Sequence, residues 1–167
     1  MLKRMMLLVA AVLVIGTAGT MLASAEDFDV AAGKVYTLSL EPDANHPDPD
    51  GVKLTDGSAN FSWGDMVGFN NPPVNPTIVV DLGDIYDNIT YVGLKVMKSM
   101  PSGVNTPLHF IASVSEDGEL YEDLGMGIRY AEDPVPDDSI GTLYWATDEL
   151  PGYGRYVRIE AIPTGTA

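Results

Sequence analysis

The sequence predicts an all-β, antiparallel domain built as a sandwich or barrel. Three observations carry this. Short apolar runs with period-two alternation recur along the chain, Gly and Pro punctuate them at fairly regular spacing, and no amphipathic helix of useful length appears outside the first 25 residues. The clearest unit is Leu108–Gly125, LHFIASVSEDGELYEDLG. Leu108, Phe110, Ala112 and Val114 alternate with His109, Ile111, Ser113 and Ser115, the mark of a strand with one buried face. Asp117-Gly118 supplies a dipeptide suited to a tight hairpin turn, and Leu120-Tyr121 restarts the chain.

The other elements follow in order. Lys34–Leu40, KVYTLSL, alternates and is rich in strand formers. Residues 41–50, EPDANHPDPD, hold three Pro and four acids and form a loop. Thr55-Asp56-Gly57 is a turn. The stretch Phe61–Phe69 carries Trp63 and Phe69 with Gly64 and Gly68 between them, and NNPPVN from Asn70 is a second Pro-rich loop. Thr77–Leu82, TIVVDL, is a strand ended by Gly83, with Asp84–Asn88 a short connection to the next strand, Thr90–Met97. A short strand at Gly127–Ala131, a strand at Gly141–Ala146, a turn at Leu150–Gly154 and a last strand, Arg155–Ile162, complete the pattern.

The first 25 residues read differently. Lys3 and Arg4 precede an unbroken apolar run from Met5 to Ile15, and Ala23-Ser24-Ala25 fits a signal-peptidase site, so residues 1–25 are read as a secretory signal peptide. The run is shorter than the ~20 residues of a spanning helix. No membrane insertion of the mature chain is expected. What remains, 26–167, is the size of one domain with room for a core. Of the nine basic residues two lie in the leader, which leaves seven against 24 acids, a net charge of −17. That charge argues against nucleic acid, whose phosphates need clustered Lys and Arg. The chain has no Cys, which excludes disulfides and a lipid-anchored Cys. Asn88-Ile89-Thr90 fits a glycosylation pattern that has no meaning in a bacterial source, which the short basic leader and absent Cys favour.

Catalysis is not expected. His46 and His109 show no spacing with a nucleophile or metal partner, and chance acid pairs abound in so acidic a chain.

The order of LTDGSANFSW, WGDMVGF, IVVDLG, ITYVGLKV, SVSEDGELYEDLG and RYVRIEA, from Leu54 to Ala161, resembles the discoidin-type, galactose-binding-like domains. These include the coagulation-factor type C domains and several bacterial carbohydrate-binding modules. The resemblance implies a jelly-roll β-sandwich, secreted and non-catalytic, that binds polysaccharide or cell-surface glycan. A structural or protein-interaction domain on the same sandwich is the alternative. It also implies a structural Ca²⁺ beside the DG turn, with Asp56 as anchor, carbonyls from Leu54 and Gly57 or Ser58, Asn60 as a further ligand and Glu160 from the closing strands; the simpler reading of Asp56-Gly57 is a turn alone. Family members usually carry one more strand after RYVRI. With the sequence given ending at Ala167, that strand is missing or the domain belongs to a longer parent chain with attached enzyme or surface-protein modules. Loop and rim candidates for sugar contacts are His46, Asn70, Asn71, Tyr86, Tyr144, Trp145 and Tyr153, because sugars offer apolar C–H faces to aromatic rings and hydroxyls to amides and acids. Trp63 is a further loop candidate, but the resemblance puts it, with Phe69, at a core position, so burial is the expectation for both.

Overall fold

The computed structural model describes residues 6–17, 29–57, 62–129 and 133–164. Nine strands are seen among them: β1 (Met6–Thr17), β2 (Tyr36–Leu38), β3 (Met66–Asn70), β4 (Thr77–Lys98), β5 (Val104–Asn105), β6 (Pro107–Ser115), β7 (Glu122–Gly127), β8 (Ser139–Ala146) and β9 (Gly152–Pro163).

The long strand β4 organises the sandwich. Its first part, Thr77–Asp81, pairs with β2 on one edge and β9 on the other. Its second part, Tyr91–Lys98, pairs with β8, and residues Ile89–Val96 pair with β1. One layer therefore runs β2–β4–β9–β6–β7 and the other β3–β1–β4–β8. Asp84–Asn88, expected as a connection, is instead part of this strand, which spans 22 residues without a break. Register shifts on either side of Tyr86, with Gly83 at φ 85°, carry the chain from one layer to the other. The first residues of the expected Leu150–Gly154 turn likewise give way to β9, which starts at Gly152.

The core lies between the layers. Val80, Val92, Val96, Phe110, Ala112, Val157 and Ile159 are all fully buried. The predicted hairpin is present: β6 and β7 pair antiparallel around Asp117-Gly118, with Gly118 at φ 80°. The Asp117 carboxylate caps the turn by accepting from the backbone N–H of Glu119 and Leu120 and from the Ser115 hydroxyl. Those backbone bonds hold its pKa below the usual carboxylate value. Opposite the hairpin, a Cβ on Gly127 would lie 1.9 Å from the Phe110 ring, so only glycine lets β7 close over that ring.

Two expectations fail here. Leu108 was placed on the buried face of β6, but it is 61% exposed, because the ladder to β9 shifts register between Pro107 and His109 and turns Leu108 outward. The expected strand Gly127–Ala131 is reduced: β7 ends at Gly127 and Ile128 makes a single bridge to Tyr144, while residues 130–132 lie outside the described residues.

The segment read as a leader is paired in the sheet. β1 runs antiparallel to β3 (Met6↔Asn70 to Ala10↔Met66) on one edge. On the other edge it runs parallel to β5 (Met6↔Val104, Leu7↔Asn105) and then antiparallel to β4 (Val9↔Val96, Leu13↔Leu94 to Thr17↔Ile89). The composition explains why both readings arise. A continuous apolar run containing Val9, Val12, Val14 and Ile15 suits an export leader, and it equally suits a central strand covered on both sides.

Candidate functional site

The 41–50 loop folds back over β3. The Asp43 N–H donates to the Gly68 carbonyl at 2.7 Å, and the Gly68 N–H donates to the His46 carbonyl at 3.2 Å. Within the loop, one Asp43 carboxylate oxygen accepts from both the backbone N–H and the side-chain amide of Asn45, each at 2.9 Å. The backbone bond to Asn45 is the main reason that the Asp43 carboxyl sits below its ordinary pKa, with the amides of Asn45 and Asn70 and the nearby His46 acting the same way. Asp43 therefore stays an acceptor well into the acid range.

Trp63 opens a short 3-10 turn, Trp63–Asp65, just before β3. Its carbonyl accepts from His46 Nδ1 at 3.2 Å. The two rings are 5.7 Å apart at 40°. Sequence reasoning placed Trp63 in the core beside Phe69. Phe69 is buried, but Trp63 is 40% exposed, because the 3-10 turn leaves it at the rim while β3 carries Phe69 inward. The result is an exposed aromatic ring beside the His46 imidazole, on a loop that also carries the Asp43 carboxylate bonded to the amides of Asn45 and Asn70. His46 and Asn70 were expected from the sequence, and Asn71 follows Asn70, exposed and at φ 48°. Asp43 and Asn45 were missed; the D-x-N spacing that closes their turn was the available signal.

The remaining glycan candidates lie elsewhere. Tyr144 and Trp145, on β8, line a shallow recess of about 200 Å³ with Met126, Ile128 and Ala146. Tyr144 stacks on Tyr91 with centroids 5.8 Å apart, and Trp145 packs against the core, where a Cβ on Gly125 would come within 2.8 Å of its Nε1. Tyr86 also packs on the core, and its backbone pairs with Gly154, next to the half-exposed Tyr153. Tyr144 and Trp145 are thus on β8, Tyr86 on β4 and Tyr153 on β9, whereas Trp63 is held in the turn before β3.

The calcium candidates divide similarly. Leu54, Asp56 and Gly57 lie in one turn, with Gly57 at φ 74°, whereas Ser58 and Asn60 fall outside the described residues. Leu54 is buried, and its N–H donates to the Tyr36 hydroxyl. Glu160, on β9, accepts from the Asn75 amide at 2.6 Å. Among the described residues, no group of three His, Cys, Asp or Glu gathers as a metal cluster.

No family model matches the chain, and no curated protein matches it. Solved structures do. The module CpGH89CBM32-6 of Clostridium perfringens aligns with a TM-score of 0.50 at 17% identity, over 81% of this chain and 89% of that one. CpGH89CBM32-5 from the same organism, solved with GalNAc-β-1,3-galactose, aligns at a TM-score of 0.45 and 17% identity over 76% of this chain and 82% of its own. The C-terminal domain of a chitobiase from Bacteroides fragilis gives 0.44 and 18% identity over 79% and 83%. With its antiparallel layers and its match to the first of these modules, the chain has the fold of the discoidin-type, galactose-binding-like β-sandwich.

Proposed function

We propose that this domain is a non-catalytic carbohydrate-binding module and that its glycan site is the face formed by Trp63, His46, Asp43, Asn45 and Asn70. The observation that carries the reading is the exposed Trp63 ring set against His46, on whose loop Asp43 and Asn45 are fixed by hydrogen bonds. A pyranose presents a C–H face to such a ring and equatorial hydroxyls to the groups around it. Asp43, its carboxyl held below the ordinary value, accepts hydroxyl protons; the His46 ring and the Asn70 amide offer further hydrogen-bonding groups. The module designation of the structure aligned at TM-score 0.50 supports the same reading. The leader pattern supports export, so the ligand is an extracellular polysaccharide or cell-surface glycan. The test is a glycan-array screen of the exported protein, in calcium and in chelator. Selective binding to one glycan class is expected; a folded protein that binds none would leave the structural or interaction role.

A structural Ca²⁺ belongs to the same proposal, held at the turn of Asp56 by that carboxylate and by carbonyls of the turn, which a Gly-containing loop can aim at one point. Asp56→Ala should then abolish the rise in melting temperature that calcium gives the parent. That rise corresponds to about 2.7 kcal/mol at a hundredfold excess over Kd. Equal melting of both proteins with and without calcium would dismiss the metal.

A further inference from the structure

The backbone edges that β1 joins depend on it. Within the described residues, the ladder of β3 runs only to β1, and β1 separates β3 from β4 and β5. Because β1 is antiparallel to both, β3 and β4 run parallel to each other, about two strand spacings (~9.6 Å) apart. They cannot simply close on one another without moving β3 by a strand width. Yet residues 6–17 lie within the stretch with the pattern of a cleaved leader. Cleavage after Ala25 would leave a strand-wide slot, with the backbone groups of Val67 and Phe69, which alternate with the loop-bonded Gly68, unpaired on one side and those of Gly93, which faces away from β8, unpaired on the other. Unpaired edges of this kind are a template for an added strand.

We propose that the exported protein is a strand acceptor. Its β3–β4 slot takes an extended, apolar segment of a partner polypeptide, running in the direction β1 runs in the structure. Three observations define that occupant. The one segment seen in the slot is 12 residues long, uncharged and apolar. The slot strands carry Val67, Phe69, Val92, Leu94 and Val96, all buried, so an uncharged strand is demanded. The slot mouth is also marked: Met6 and Leu7 pair with Val104 and Asn105, and the end of β9 arrives beside them, where Pro163 pairs with Pro107 and the Thr164 hydroxyl donates to the Thr106 carbonyl. A strand entering there, from the side of Thr164, has the required direction. If the glycan reading also holds, the occupant has a second effect. β3 carries Asn70 and anchors the 41–50 loop at Gly68, so filling the slot fixes the sugar-binding face.

The test uses protein exported by a bacterial host and purified from outside the cytoplasm, its N-terminus read by mass spectrometry. Backbone hydrogen exchange is followed with and without a synthetic peptide of the Met6–Thr17 sequence carrying a solubilising lysine tail; a proline-broken version of the peptide is the control. With the leader gone, exchange at Val67, Phe69 and Gly93, whose amides face β1, should be fast, and peptide at a hundredfold excess over Kd should slow it about 100-fold. The control peptide should do nothing. A second variant carries the Met6–Thr17 sequence fused after Ala167 and should show the protection without added peptide. If the exported chain is unfolded alone and folds with the peptide or the fusion, the proposal stands. Retention of residues 1–25 in the exported protein would overturn it. So would full protection of both strands without peptide, or exchange that neither peptide nor fusion changes. None of these readouts depends on sugar, so the outcome is separate from that of the glycan screen.

Discussion

β3 and β8 flank the same layer, and each carries or borders an exposed aromatic region, yet the two are built for different work. On the β8 side, Trp145 packs against the core, Tyr144 stacks on Tyr91, and the neighbours in the recess are Met126, Ile128 and Ala146. On the β3 side, Trp63 stands at the rim against His46, whose loop also carries Asp43 and Asn45, and Asp43 in turn bonds Asn70. The anchoring differs as well. β8 pairs directly with β4 over eight positions from Tyr91↔Ala146 to Lys98↔Ser139, whereas among the described residues β3 is joined to β4 through β1. Two aromatic clusters in one layer can thus be told apart by what surrounds them: apolar neighbours on a fully paired strand indicate packing, and fixed polar groups on a loosely tied strand indicate recognition.

The largest effect that sharpens this contrast is expected from truncating the two tryptophans. Trp145→Ala should destabilise the protein by about 3 kcal/mol in urea unfolding, as for a large ring packed on a core. Trp63→Ala should change stability by no more than about 0.5 kcal/mol, as for a rim residue, while weakening glycan binding at least tenfold. Equal stability losses would erase the distinction. Next comes Gly125→Ala. Gly125 sits at φ 151° with its Cβ position 2.8 Å from Trp145, so about 1–3 kcal/mol should be lost, with glycan affinity unchanged. The smallest effect lies outside both clusters, in the first layer. Asp81 accepts two hydrogen bonds from Arg155, each 2.7 Å, and this pairing holds its carboxyl below the ordinary value. The sign follows from that direction. The stabilisation is fully present above the unfolded-state pKa near ~3.9 and is lost as pH falls through the lower folded value. Both side chains are partly exposed, so the amount is about 0–1 kcal/mol. Acid titration of stability for the parent and Asp81→Asn should converge at the acid end.

The β6–β7 hairpin and β9 were legible in the sequence because alternation and the Asp117-Gly118 turn are local signals, and Phe110, Ala112, Val114, Val157, Ile159 and Ala161 are buried as the period demands. Leu108 was not legible, because a register shift opposite β9 turns it out, and registers are fixed by the partner strand. The continuity of β4 through Asp84–Asn88 was hidden for a related reason: polar residues look like a turn until two layers are seen to need one strand that crosses between them. At the site, His46 and Asn70 stood out as polar residues on Pro-rich loops. Trp63 did not, since exposure depends on the 3-10 turn that holds it at the rim. The place of Met6–Thr17 in the sheet could not be read from its composition, which fits a leader and a central strand alike.

The most direct test of the glycan site uses the two tryptophans as separate reporters, since the chain has only two. Trp145→Phe leaves Trp63 as the single emitter, and Trp63→Phe leaves Trp145. Each is titrated with the glycan class selected by the array, and intrinsic fluorescence is followed. A saturable change in the Trp63 reporter, with none in the Trp145 reporter, is the predicted result. A response from Trp145 alone would move the site to the β8 recess and contradict the account.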